Sequence, residues 1–171
     1  MSPPHWVALC LFAASVFGFM PATPSNETLD ALAQAGGITS IDRSSNLTLR
    51  WSPAALFSEN VSYQVARSNS SGVSRGALVH FSEETVNSTT FPTVNPWIAL
   101  MSCDTNTTNS SMDTDVFSLA QSKGALSAVL YSLFSTICIL NREFLASSVG
   151  HDLDIFIPLS KAASLLIESQ F

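Results

Sequence analysis

A mixed α+β domain is what this sequence predicts, and three observations over residues 97–132 predict it. The first is an apolar run, Trp97-Ile98-Ala99-Leu100-Met101, closed by Ser102 and Cys103, which suits a strand buried on both faces. The second is the segment 113–123, where Val116, Leu119, Ala120 and Lys123 recur at helical spacing. Ser110 stands three residues before Asp113, a capping-box spacing, and Asp113 and Asp115 put negative charge at the positive end of such a helix. Lys123 complements the other end, and Gly124 supplies the left-handed residue that stops it. The third is the short apolar run 126–131. Strand, helix and strand of these lengths form a βαβ-like unit over about 97–132, whose two strands are most simply parallel neighbours.

The remaining elements follow in order. Residues 6–20 carry no charge and precede Pro21-Ala22-Thr23-Pro24. That length matches the apolar core of a secretory signal and falls short of the ~20 residues that span a bilayer. Residues 1–22 are expected to be a signal peptide, cleaved near Gly18 or Ala22, with an uncleaved anchor as the alternative. Residues 21–32 are polar, with two prolines and one sequon, so 23–37 read as a loosely ordered lead-in, and 38–171 as the domain proper. In the segment 38–50 and just beyond, Leu47, Leu49 and Trp51 alternate with polar residues, as Val61, Tyr63 and Val65 do in 57–66; both read as strands. Residues 76–81 read as a strand and 83–96 as a polar, Pro-bounded loop. After the opening unit come an apolar run at Ile137-Cys138-Ile139-Leu140, a connector at 145–150 and a last strand at Ile155-Phe156-Ile157-Pro158. Ser160 caps a final helix whose apolar residues include Ala163, Leu166 and Ile167.

Composition places this domain outside the cytosol. Only 12% of the 171 residues are charged, against 46% hydrophobic, and the net charge is −6, which excludes a basic nucleic-acid face. Seven of the nine asparagines begin an Asn-x-Ser/Thr sequon: Asn26, Asn46, Asn60, Asn69, Asn87, Asn106 and Asn109. About a quarter of the residues are Ser or Thr, so chance would give roughly two. The excess predicts a glycoprotein of the secretory pathway. With Cys10 in the signal, Cys103 and Cys138 form an even pair in an oxidising compartment. The first ends one buried strand and the second follows the other through a short turn, so a disulfide between them is expected.

The stretch "IALMSCD", a helix, and then "KGALSAVLYS" resembles the core of the protease-associated (PA) domain. It is most similar to the luminal PA domains of fungal membrane proteins that carry a transmembrane helix and a RING finger further on. There "DVFSLAQSKGALSAVLYS", "CILNREF" and "LIESQF" find near counterparts. The likeness covers roughly 76–171. Where many PA domains place a short Arg-Gly-rich turn, this chain has Asp104-Thr105-Asn106-Thr107-Thr108-Asn109. The resemblance implies a β-sandwich or open barrel with flanking helices. It also implies a non-catalytic module that binds a protein or peptide in the secretory or endosomal lumen, as the ectodomain of a RING-type ubiquitin-ligase-like protein.

The residues themselves carry little chemistry. His80 reads as a strand histidine, facing solvent or hydrogen-bonded. His151-Asp152-Leu153-Asp154 groups three possible ligands, but no HxxxH, CxxC or EF-hand spacing accompanies it, so neither metal nor cofactor is expected. Glu83 and Glu84 are adjacent and read as a solvated loop. Phe117, Phe134 and Phe156 read as core. No Gly-x-Ser-x-Gly elbow appears, so the alternative, a small secreted hydrolase, would need His80 or His151 beside a nucleophile. Recognition is expected in loops at the ends of the βαβ-like unit. The segment 104–111 carries two sequons, which favours the connector 140–152, with Arg142, Glu143 and His151 as polar contacts.

Overall fold

The computed structural model describes residues 19–28, 30–31, 46–51, 55–65, 74–82, 86, 90–104, 114–146 and 153–170. Its strands are β1 (Ala22–Ser25), β2 (Asn46–Trp51), β3 (Ala55–Val65), β4 (Ala77–His80), β5 (Trp97–Ser102), β6 (Ala125–Tyr131), β7 (Ile137–Leu140) and β8 (Asp154–Pro158). Its helices are α1 (Val116–Ser122), α2 (Arg142–Ala146) and α3 (Lys161–Glu168). Six strands form one mixed sheet, in the order β2-β3-β8-β6-β5-β4, which curls into a half barrel. β1 and β7 form a separate antiparallel pair.

The βαβ-like unit is present: β5 and β6 are parallel neighbours joined through α1. Period-two alternation along its strands divides the core in two. Ala99, Met101, Ala128, Leu130, Ile155 and Ile157 face α1 and the β1–β7 pair. Leu100, Val129, Tyr131 and Phe156 face the other way, with Val61 and with Ile167 from α3. Both faces are covered, which is why these strands read as continuous apolar runs. On the outlying β2–β3 ribbon one face alone is packed: Leu47, Leu49 and Phe57 lie against the second core.

The start of α1 differs from expectation. Its cap is Asp115, whose Oδ1 accepts from Ser118 N at 2.8 Å while Oδ2 accepts from Ser118 Oγ at 2.7 Å. Ser110 and Asp113 lie outside the described residues. Gly124 does end the helix, at φ 92°. Ser160 caps α3 by accepting from Ala163 N at 3.1 Å, but Leu166 faces solvent instead of the core. The expected connector contains α2, whose Phe144 packs on Phe117 with ring centroids 5.4 Å apart.

β1 straddles the end of the expected signal peptide and the start of the expected loose lead-in, paired with β7 from Ala22↔Leu140 to Ser25↔Ile137. Just before it, Phe19 N donates to Thr114 O and Val116 N donates to Phe19 O, both at 2.9 Å. The cause is tertiary: β7 offers an open ladder edge, and four short residues satisfy it despite two prolines nearby. Phe134 is a further correction. It is 75% exposed, while Phe117 and Phe156 are buried as expected.

Candidate functional site

β4 ends the six-stranded sheet, and a concavity lies beside it. β4 runs parallel to β5, with Ala77 N donating to Pro96 O and Phe81 N to Leu100 O. Gly76 makes the approach possible, since a Cβ there would come within 2.7 Å of the Pro96 backbone. On the face of β4 shared with the first core opens a pocket of about 360 Å³, walled by Val79, Phe81, Val86, Phe91 and Trp97, with Lys123 at its base.

The loop 90–96 forms the outer wall and is fastened to the end of α1 through Lys123. The Lys123 ammonium donates to Thr90 O at 2.6 Å. Its carbonyl accepts from Thr93 N at 3.2 Å and from Trp97 Nε1 at 3.3 Å. At Gly124 a Cβ would meet Thr93 O at 2.7 Å, so the turn and the loop require each other. The Phe81 and Trp97 rings sit 5.6 Å apart in the floor. Phe91 and Val94, by contrast, are almost wholly exposed at the tip of the loop.

The other face of β4 carries a polar cluster. His80 Nε2 donates to Glu168 Oε2 at 2.9 Å, and its ring stacks on that of Tyr131 with centroids 6.4 Å apart. Burial pushes the Tyr131 phenol far above its ordinary range, helped by its hydrogen bond to Glu168 and by the Glu168 and Asp104 charges. The cluster ties the sheet's last strand to α3. His80 is thus both exposed and hydrogen-bonded, as expected.

A rigid knot sits where β5 and β6 end. Asp104 Oδ1 accepts from Ser132 Oγ at 2.6 Å, and Oδ2 accepts from Leu133 N at 2.7 Å. Beside it Cys103 and Cys138 form the expected disulfide, with Cα atoms 6.1 Å apart. It fastens the β1–β7 pair to the main sheet.

Arg142 and Glu143 are exposed on the first turn of α2 and do not line the pocket; His151 lies outside the described residues. Asn26, Asn46 and Asn60 are exposed, as sequons require, while Asn69, Asn87, Asn106 and Asn109 lie outside the described residues. So do Glu83 and Glu84. Among the described residues no group of three or more His, Cys, Asp or Glu converges on a point, and no helix is long and apolar enough to cross a membrane. The pocket was not visible in the sequence, although Phe91 within a polar Pro-bounded loop was a signal of it.

Comparison of the chain with protein-family models, with curated proteins and with solved structures returns no match.

Proposed function

We propose that this chain is a non-catalytic protein-recognition module of the secretory or endosomal lumen. We take it to be of the protease-associated type and to serve as the luminal part of a membrane RING-type protein. The observation that carries the recognition reading is the pocket beside β4. It combines aromatic and aliphatic walls, a loop fixed by a backbone hydrogen bond, and an exposed Phe91 at its rim. Preorganised concavities with aromatic walls are where recognition energy concentrates. The disulfide and the seven sequons support the compartment.

The glycosylated chain, secreted from eukaryotic cells, is to be probed with an array of overlapping peptides from secretory proteins. Binding is expected for a subset of peptides, with loss of at least tenfold in Val79→Arg, which fills the pocket from an exposed position. An Arg142→Ala, Glu143→Ala double variant decides whether α2 contributes, and only a weakened signal would keep it in the site. Turnover of peptide, ester or glycoside substrates, abolished in His80→Ala or His151→Ala, would overturn the module reading.

A further inference from the structure

Residues 19–22, which fall within the expected leader, are built into the domain. Phe19 makes a parallel bridge with Asp115: its N–H donates to Thr114 O and its carbonyl accepts from Val116 N, both at 2.9 Å. Val116 opens α1, so its N–H has no acceptor within the helix, and Phe19 supplies one at a residue that is 1% exposed. Met20 packs against the first core. Pro21 is buried, and its carbonyl accepts from Asn141 N at 2.9 Å. Ala22 belongs to that core and opens β1. The domain thus accounts for the apolar character of Phe19 and Met20, which leaves 6–17 as the apolar run of the leader.

That placement separates the two candidate cleavage points. A cut after Ala22 would remove the acceptors of Val116 N and Asn141 N, the core contacts of Met20 and Ala22, and the Ala22↔Leu140 rung of the β1–β7 pair. A cut after Gly18 removes none of these. It also has the small Gly18 at the cut and the short, uncharged Val16 two positions earlier, where a cut after Ala22 has the longer Met20. The run 6–17 then falls within the ~7–15 residues of a secretory apolar core. We infer that a signal peptidase hydrolyses the Gly18–Phe19 bond and that the mature chain starts at Phe19. Water is the co-reactant: Gly18 leaves as the carboxylate end of the leader, and the amide nitrogen of Phe19 becomes an α-amine that still donates to Thr114 O beside Asp115. This rests on the luminal reading above and fixes where the leader of that reading ends.

The test expresses the full chain in eukaryotic cells, labels its amines by reductive dimethylation, removes its glycans and reads the first peptide by mass spectrometry. A start at Phe19 is expected; a start at Thr23, or at any other residue, would overturn the inference. An intact leader on glycosylated chain would overturn it while leaving the luminal reading standing, and an intact leader on unglycosylated chain would overturn both. Two further chains, placed behind one foreign leader that is removed cleanly, start at Phe19 or at Thr23. The first should melt with the natural product. The second should melt about 5 °C or more below it, or be withheld from secretion. Equal midpoints for the two would overturn the role given to residues 19–22.

Discussion

Cys103 and Cys138 close a loop with a sequence separation of 35 and join the β1–β7 pair to the main sheet. Replacing both by Ser should cost roughly 4 kcal/mol in the chain-entropy treatment, read as a lowered urea midpoint with the fold retained at low temperature. Tyr131 gives a pH signature. Its phenol is raised in the folded state, so the folded chain holds a proton that the unfolded chain releases above about pH 10. Stability should therefore be level below that pH and fall as pH rises through it, and Tyr131→Phe should lessen the fall; urea melts from pH 8 to 11 measure both. The cysteines were legible because counting and compartment sufficed. Tyr131 was not, since its partner Glu168 is 37 residues on and only the docking of α3 brings them together.

At the level of elements, the βαβ-like unit was legible because each piece declares a period and a stop. Gly124 was legible for the same reason, and Gly124→Ala should cost 1 kcal/mol or more, since it meets both a left-handed backbone and Thr93 O. Thermal melting checks this, and a loosened loop 90–96 should show as faster hydrogen exchange of the Trp97 indole N–H, which donates to Lys123 O. β1 was not legible: four residues with no alternation become a strand only because β7 is there to pair with. The cap of α1 was misplaced because two spaced Ser/Asp pairs compete in sequence, and the geometry satisfied Asp115 with Ser118. The β2–β3 ribbon yields a further expectation. Asn46 and Asn60 are cross-strand partners, both exposed, on the face that also carries Arg50. Glycans there should shield that face, so an Asn46→Gln, Asn60→Gln double variant should be cut by trypsin at Arg50 several-fold faster, as seen by peptide mapping.

For the whole molecule, the pattern of sequons and the disulfide point to one environment. Secreted chain should run several kilodaltons above its 18.3 kDa and collapse on amide-glycosidase treatment, and an unshifted band would count against the lumen. Mixed α+β architecture was legible, since alternating and continuous apolar runs differ in period. Sheet order was not, because it depends on which distant segments meet. That order has a consequence for how the protein is made. Among the described strands β8 comes last in sequence, yet it lies between β3 and β6 and so joins the β2–β3 ribbon to the parallel β4–β5–β6 block. While the chain emerges from the ribosome, those two pieces have no shared ladder until residues 154–158 appear. Both cysteines emerge earlier, so oxidation can precede the closing strand. The sheet is thus completed only once β8 has emerged, by a long-range pairing of the slow kind, and nascent chains stalled before Asp154 should carry the bridge yet stay bound to luminal chaperones.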